Sequence, residues 1–270
     1  MSYTWIGGGR PTFRRSFEIH TLVCWAVFLK ELSRRFGKSR IGIFWVFLEP
    51  ALFVAFLSFL WHLGGRESFY NIPVPLFIAL GYLPYMFLRW VIGKAAKKIS
   101  NNESLYDFPQ VKPFDVFVAG FMLELVIFIV ASPLFMLCMW WFFDYSIAIA
   151  RPVEFFVYAL IFLVGVFGLG LILGILICFF DLVSRMTRFI NRALMFTSSI
   201  WHPYNELPTI AQQVLQWNPL LQYIELMRSA YFGYTNDPGI SAGYAALVSI
   251  SLLGFALVLY YPYRYRLIMR

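Results

Sequence analysis

The sequence has 270 residues, of which 60% are hydrophobic, 20% aromatic and only 13% charged, with a formal net charge of +8. A soluble domain carries about a quarter charged residues, so this composition excludes a soluble protein and predicts a polytopic membrane protein. The cations stand between apolar runs and are not gathered on one surface, which excludes a nucleic-acid-binding domain.

The first predicted element is an amphipathic helix at residues 11–36. Apolar side chains recur there at three-to-four spacing, among them Leu22, Trp25 and Leu29, with charged residues between them. This pattern is typical of helices that lie at a membrane surface. The central apolar run is shorter than the roughly 20 residues that span a bilayer. No small-residue cleavage site follows it, so we assign an interfacial helix and not a signal peptide.

A basic cluster separates this helix from the first long apolar run. Its four cations are Arg34, Arg35, Lys38 and Arg40. Cations at the mouth of a span are retained in the cytoplasm, so they fix the cytoplasmic end of span 1 at residues 43–63. Span 2 follows at residues 73–93 after a loop so short that the two spans form a hairpin. We expect the four cations to contact lipid headgroups or to form part of a gate at the membrane surface.

Four more spans are predicted in the remainder of the chain, at residues 114–143, 155–180, 186–202 and 242–261. The third is longer than a bilayer requires and contains Pro133, so a tilt or a kink is expected. The fourth carries Gly170 and Gly174, a GxxxG pair that allows close helix approach. The fifth is short, but without it the sixth would place the C-terminal arginines outside.

The distribution of charge predicts that both termini are cytoplasmic. Most of the 22 lysines and arginines fall in the segments that six crossings place inside. The same topology puts the polar segment 100–112 in the cytoplasm and residues 203–239 outside. The outer segment is half apolar and is interrupted by Pro208 and Pro219, which favours two short helices that re-enter the outer leaflet. The predicted fold is therefore an all-α, single transmembrane domain.

Charged and aromatic residues inside the predicted spans are candidates for a translocation path. Glu124 lies near mid-membrane in span 3 and is expected to face the protein interior or an aqueous path. Glu49 and Arg89 lie near the cytoplasmic ends of the hairpin spans, where a pair between them and snorkelling of Arg89 to the headgroups are both open. Aromatic rings stack on sugars, although most of them are expected to face lipid. The aromatic candidates are Tyr82, Tyr85, Trp201 and Trp217.

Several short motifs do not indicate chemistry. The sequence Gly37-Lys38-Ser39 lacks the earlier glycine of a phosphate-binding loop, because position 32 is leucine. The three histidines are scattered, which gives metal catalysis little support. The three cysteines are isolated and predict neither a disulfide framework nor a zinc site. No cofactor is expected in this chain.

The stretch RRFGKSRIGIFWVFLEP, residues 34–50, resembles the permease subunit of ABC-2 type exporters of bacterial polysaccharide, and specifically the inner-membrane permease of capsular polysaccharide export systems. The stretch NNESLYDFPQVKPFD, residues 101–115, and the sequence Trp217-Asn218-Pro219-Leu220 also match that family's pattern. The resemblance extends over nearly the whole chain from about His20.

This resemblance implies a multi-pass transport subunit of the bacterial inner membrane, with no enzyme activity of its own. Such permeases work as homodimers with two ATP-binding-cassette subunits, which carry ATP and Mg²⁺. The implied substrate is a lipid-linked polysaccharide that passes along the dimer interface, with a periplasmic adaptor and outer-membrane export proteins as further partners. The implied ATPase-coupling segment consists of Asn101, Asn102, Glu103, Ser104, Leu105 and Tyr106.

Alternatives of the same and of other classes stay open. Related permeases would export O-antigen, teichoic acid or a small hydrophobic molecule. A membrane glycosyltransferase would also bind lipid-linked sugars, but it needs a carboxylate or histidine cluster at one membrane face, and Asp144, Glu154 and Asp181 are dispersed. A purely structural anchor gives no reason for Glu124 or for the polar segment 100–112.

Overall fold

The computed structural model describes residues 13–36, 41–102, 105–108, 110–264 and 266–267, most of which are helical. The α-helices in chain order are α1 (Phe13–Phe36), α2 (Ile41–Leu63), α3 (Val74–Trp90), α4 (Lys98–Asn101), α5 (Pro113–Phe143), α6 (Pro152–Phe179), α7 (Asp181–Thr197), α8 (Thr209–Leu215), α9 (Pro219–Phe232) and α10 (Ala242–Tyr263). The antiparallel strands β1 (Ser68–Phe69) and β2 (Ile72–Pro73) precede α3. A π-helical turn (Val91–Ala95) follows α3, and a 3-10 turn (Tyr204–Glu206) precedes α8.

Among the described residues, five helical segments are long and apolar enough to cross a membrane: Phe44–Leu63, Val74–Asn101, Pro113–Phe143, Pro152–Phe179 and Ala242–Tyr263. They fall on predicted spans 1, 2, 3, 4 and 6. The segment predicted as span 5 falls on α7, which begins earlier than expected, has 17 residues and is not among the five. The prediction of a helical membrane protein is confirmed, whereas the sixth crossing, the interfacial position of α1 and the re-entrant position of α8 and α9 stay predictions.

Helix α3 lies at the centre of the structure. It begins with Pro75 in its first turn, where the missing N–H of proline needs no partner, and nearly all of its side chains are buried. Helices α2, α5 and α9 pack around it. The ring of Phe87 contacts three rings from α5 and α6, those of Phe121, Phe128 and Phe162. Helix α3 therefore connects α2, its partner in the N-terminal hairpin, with α5, α6 and α9.

Helix α6 uses its glycines on two faces. Gly170 and Gly174 face the π-helical turn and α4, and a Cβ on Gly170 would lie only 2.6 Å from a methyl group of Val91. The close helix approach predicted for this pair is confirmed. Gly168 faces α10, where an added Cβ would lie 2.6 Å from the backbone nitrogen of Leu253. The two faces let α6 pack tightly between the centre of the structure and the last helix.

Helix α1 contacts α5 at two points whose spacing differs between the two helices. His20 Nδ1 lies 3.1 Å from a carboxylate oxygen of Asp115 near the start of α5, and Arg35 Nη1 donates to Glu124 Oε2 at 2.6 Å. At a rise of about 1.5 Å per residue, these contacts are about 22 Å apart along α1 but only about 14 Å apart along α5. The end of α1 therefore lies level with the interior of predicted span 3, whereas His20 lies level with its first turn.

The loop between α2 and α3 contacts the segments on either side of α8 and α9. The Tyr70 ring stacks on Tyr234, with centroids 4.8 Å apart, and its hydroxyl donates to Asp237 at 2.9 Å. Arg66 forms an ion pair with Glu206, with Nη1 2.8 Å from Oε2. These contacts place the loop and the segments that flank α8 and α9 at the same end of the molecule.

Candidate functional site

A buried carboxylate joins α1 to the end of the second predicted span. Glu31 is only 2% exposed and forms an ion pair with Lys98. Asn102 Nδ2 donates to Glu31 Oε1 at 3.2 Å, and Arg34 lies 3.7 Å away. Burial alone would raise the pKa of the Glu31 carboxyl, but these donors and cations outweigh it and hold the pKa below its ordinary value. Glu31 therefore connects α1 to the end of the second predicted span, two segments that were predicted separately. We call its contacts with Lys98, Asn102 and Arg34 the Glu31 link.

The predicted coupling segment presents only part of its residues at the surface. Asn101 is exposed, Leu105 is half-buried, and Asn102 and Tyr106 are buried. Asn102 is held by Glu31, and the Tyr106 hydroxyl donates to the carbonyl of Ile99 at 2.7 Å. These inward contacts support a compact segment. The predicted contacts Glu103 and Ser104 lie outside the described residues, as do Lys38 and Arg40 of the predicted basic gate.

Three cations and two carboxylates meet at the level of the last turn of α3. Arg89 forms an ion pair with Glu49, so of the two alternatives that the sequence left open the structure shows the pair across the hairpin. Glu124 is 1% exposed and receives the hydrogen bond from Arg35, so it faces the protein interior as expected. Lys94 is exposed, and its Nζ lies 5.2 Å from the centre of the Trp90 ring. We call these five side chains the inner charge cluster: Arg35, Glu49, Arg89, Lys94 and Glu124.

Two of the four aromatic candidates, Tyr82 and Tyr85, contact each other, with ring centroids 5.8 Å apart. Tyr82 and Tyr85 are buried at 2% and 3% exposure. The Tyr82 ring stacks on Phe53, and the Tyr85 hydroxyl donates to the Asn191 carbonyl of α7 at 3.1 Å. Trp217 is 65% exposed, and Trp201 is half-buried. A role of these rings in a path stays a prediction, because two of them serve the packing of α2, α3 and α7.

Helix α7 carries a column of arginines that sequence reasoning assigned only to topology. Arg185, Arg188 and Arg192 are three and four residues apart, so they share one face of the helix, and all three are exposed. Their Cα atoms are separated by about 4.5 and 6 Å along the axis. Within the described chain, none of the three forms an ion pair. The i, i+3, i+7 spacing was the signal that could have identified this column from the sequence.

Exposed apolar residues of α7 share the face of the arginine column. Leu182 precedes Arg185 by three residues and Phe189 follows it by four, and they are 66% and 70% exposed. The opposite face, which includes Thr187, is buried against the protein. A helix with an exposed face that mixes cations and apolar side chains, and with an opposite buried face, fits the boundary between protein, lipid and a polar path.

A second buried ion pair, also missed from the sequence, lies in α9. Arg228 is 0% exposed and lies 3.0 Å from Glu225. Its two terminal nitrogens donate to the carbonyls of Ser199 and Ile200, both at 2.6 Å, and its guanidinium lies 3.8 Å from the centre of the Phe77 ring. One side chain therefore connects α3, α9 and the segment that follows α7. The i, i+3 spacing of Glu225 and Arg228 in an apolar stretch was the available signal.

The described residues contain no group of three or more His, Cys, Asp or Glu side chains close enough to hold a metal ion. The polar groups that the fold does collect are cations and ion pairs. Such an arrangement can bind anions and transmit movement between helices.

A family model described as ABC-2 type transporter matches residues 23–232. The matched range runs from within α1 to the end of α9 and so contains the Glu31 link, the inner charge cluster, the arginine column and Arg228.

Three named proteins are similar to this chain over most of their length. The polysialic acid transport protein KpsM of Escherichia coli is 28% identical over 248 residues, which are 92% of this chain and 95% of KpsM. The capsule polysaccharide export inner-membrane protein BexB of Haemophilus influenzae is 30% identical over 262 residues, 93% of this chain and 95% of BexB. The protein CtrC of Neisseria meningitidis serogroup B, with the same descriptive name, is 24% identical over 256 residues, 93% of this chain and 94% of CtrC.

Proposed function

Because this chain belongs to the ABC-2 type transporter family, we propose that it is the membrane-spanning permease of an ATP-driven exporter of capsular polysaccharide in a bacterial inner membrane. Its relatives named above include capsule polysaccharide export inner-membrane proteins. The exported polymer is lipid-linked and anionic, and it passes along a channel between two copies of the chain. A periplasmic adaptor and outer-membrane export proteins continue the route.

The proposed topology has six crossings with both termini in the cytoplasm. Helix α7 is the fifth crossing, and α8 and α9 re-enter the outer leaflet. Helix α7 spans only about 25 Å at 1.5 Å per residue, so it crosses the bilayer core of about 30 Å together with the residues that follow it. Its exposed face, which mixes arginines with apolar side chains, supports this position, because a helix between lipid and a channel needs both polar and apolar side chains.

The observation that carries the proposal of an anionic substrate is the arginine column of α7. Unpaired guanidinium groups inside a membrane are costly unless water or an anion reaches them. A row of Arg185, Arg188 and Arg192 offers several equivalent sites for carboxylate or phosphate groups, so a charged polymer can move from one to the next. Facing columns from two copies would line both sides of one path.

Replacing all three column arginines with glutamine is expected to reduce export of the polymer to the cell surface by about 100-fold, which corresponds to the net loss of one charge-assisted hydrogen bond of about 1.5–3 kcal/mol at any one time as an anionic group moves along the column. The measurement is surface polysaccharide against polysaccharide retained in the cell, in the host strain with its own copy deleted. Arg14 is exposed on α1 and is paired with Glu18. The control Arg14→Gln should export normally, and the triple Arg→Lys variant should retain most export. Normal export by the triple glutamine variant would refute the path along α7.

Coupling to two ATPase subunits, which bind ATP and Mg²⁺, is proposed at the segment from Asn101 to Tyr106. The exposed Asn101 and the half-buried Leu105 are the contacts that the described part of the segment offers. The remaining residues of the predicted set are Asn102, Glu103, Ser104 and Tyr106. The Glu31 link supports a further step, in which displacement of this segment moves α1 and with it the basic residues Arg34, Arg35, Lys38 and Arg40 of the proposed gate.

The charge reversal Glu31→Lys is expected to lower export about tenfold, because it sets a third cation beside Lys98 and Arg34. The double variant Glu31→Lys with Lys98→Glu restores the opposite charges and should recover most export. Unfolding measurements on the unaltered protein, the two single variants Glu31→Lys and Lys98→Glu, and the double variant should give a coupling energy of about 1–3 kcal/mol between the two side chains.

Glu18→Lys is the matched control on the same helix, because Glu18 forms an exposed ion pair with Arg14. Such pairs contribute less than about 1 kcal/mol, so this variant should export normally. If the double variant exports no more polymer than Glu31→Lys alone, the Glu31 link does not transmit movement through the attraction of opposite charges.

A further inference from the structure

We propose that the inner charge cluster holds a binding site for the phosphate group of a lipid in the cytoplasmic leaflet, with Lys94 as the residue that contacts it. The proposal rests on the topology given under Proposed function, which puts the end of α3 at that leaflet. It does not depend on which polymer is exported. The ligand is defined by its chemistry, a phosphate ester with a net negative charge on a lipid.

The first argument is the balance of charge. The charges that act on Lys94 are those of Glu124, Arg35, Arg89 and Glu49. Both carboxylates are already bonded to arginines, Glu124 to Arg35 and Glu49 to Arg89. The cluster therefore has one positive charge more than its carboxylates neutralise. Lys94 lies within the apolar helical segment Val74–Asn101, and a surplus cation in such a segment is costly unless it has an anionic partner.

The second argument is the position of the surplus charge. Lys94 is exposed, unlike its buried neighbours Ala95 and Ala96. It lies in the π-helical turn Val91–Ala95, a type of helix distortion that is frequent at functional sites. At Gly93, an added Cβ would have no atom within 4 Å, so there is open space directly beside Lys94. A ligand therefore has both a charge to bind and room to approach it.

The third argument is the support that the Trp90 ring gives the site. Trp90 is 4% exposed. The Lys94 Nζ lies 5.2 Å from the centre of its ring, and the Arg35 guanidinium carbon lies 5.7 Å from it. A buried indole that contacts both cations holds them near one another without neutralising them. The two cations are therefore placed by packing, and a phosphate group that approaches Lys94 also meets the field of Arg35.

The test uses the full chain in phosphatidylcholine vesicles that contain a spin-labelled lipid. The measured quantity is the fraction of the label immobilised on the protein, for spin-labelled phosphatidylglycerol and for spin-labelled phosphatidylcholine. The unaltered protein should immobilise a larger fraction of labelled phosphatidylglycerol than of labelled phosphatidylcholine. Lys94→Met should reduce this preference about fivefold, as expected for the attraction of one basic residue to an anionic lipid surface. Lys94→Arg should keep it.

Two further variants distinguish a specific lipid-binding site from a general electrostatic attraction between the protein and anionic lipid. Lys97→Met removes the same charge one turn further along the chain and should leave the preference unchanged. Gly93→Leu keeps every charge but fills the open space, so it should lower the preference as Lys94→Met does. An equal effect of Lys94→Met and Lys97→Met on the preference for phosphatidylglycerol would overturn the proposal. An unchanged preference in Gly93→Leu would overturn it as well.

The source of the phosphate is tested in the same vesicles. Excess inorganic phosphate at constant ionic strength should not displace the labelled phosphatidylglycerol, because the acyl chains also contribute to its binding. Displacement would show a site for free phosphate and overturn the lipid assignment. Neither an ATPase nor a polysaccharide is present, so a failure here leaves the export proposal standing, and a failure of export leaves this site standing.

Discussion

Replacing Arg228 with alanine is expected to destabilise the folded protein by about 3–5 kcal/mol, the usual cost of removing one partner from a buried ion pair. The change leaves the Glu225 carboxylate, only 2% exposed, without its cation. It also leaves the carbonyls of Ser199 and Ile200 without the donors that now lie 2.6 Å away. Few single side chains in the described chain connect as many elements, so little else can compensate.

The measurement is the yield and the apparent melting temperature of the detergent-purified protein, followed by size exclusion. Arg228→Lys keeps the charge but replaces the forked guanidinium group with a single nitrogen. Its apparent melting temperature should therefore lie between those of the unaltered protein and of Arg228→Ala. Gly81→Ala should resemble Arg228→Ala, because its added Cβ would overlap the guanidinium of Arg228.

The control for this prediction is Arg66→Ala. Arg66 also forms an ion pair, with Glu206, but both side chains are partly exposed, at 41% and 35%. Solvent screens such a pair, and its loss should cost less than about 1 kcal/mol. Equal melting temperatures for Arg228→Ala and Arg66→Ala would mean that burial does not determine the contribution of Arg228.

Replacing Gly168 with valine is expected to separate α6 from α10 and to cost about 3 kcal/mol, at the upper end for overpacking. An added Cβ would lie 2.6 Å from the backbone nitrogen of Leu253 and 2.7 Å from the carbonyl carbon of Leu252. These are backbone atoms of α10, so no side-chain rotation can make room. The whole helix has to move.

Gly254→Val is the matched control, because Gly254 lies on α10 and an added Cβ there meets no atom within 4 Å. It changes helix propensity in the same way without the clash. Apparent melting temperatures of both variants give the comparison. A Gly168→Val protein as stable as Gly254→Val would show that α6 and α10 do not pack at this distance.

The length of the apolar runs was enough to predict five of the helical segments, because a run of some 20 apolar residues has few other possible structures. The pairing of Glu49 with Arg89 was one of two alternatives that the sequence left open, because two antiparallel spans of a hairpin bring the residues near their cytoplasmic ends side by side, and the structure shows the ion pair. Helix α7 was harder to predict. Its arginines interrupt the apolar pattern, so the predicted segment began five residues after the helix starts at Asp181.

The partners of the buried carboxylates could not be predicted, because they depend on tertiary structure. Glu124 was expected to face inward, but its partner Arg35 is 89 positions away in the chain. Glu31 was not singled out from the sequence at all, yet it is buried and its partners Lys98 and Asn102 belong to the end of the second predicted span. Spacing within one helix indicates which residues share a face, and not which other helix covers that face.

The contacts between α1 and α5 tie the register of these two helices to one hydrogen bond. Arg35 near the end of α1 donates to Glu124 at 2.6 Å, and His20 lies beside Asp115 near the start of α5. A shift of α1 along its own axis by one helical turn, about 5.4 Å, would carry Arg35 past Glu124 and break their 2.6 Å hydrogen bond. An axial displacement of α1 would thus reach the protein interior as the release of a single ion pair.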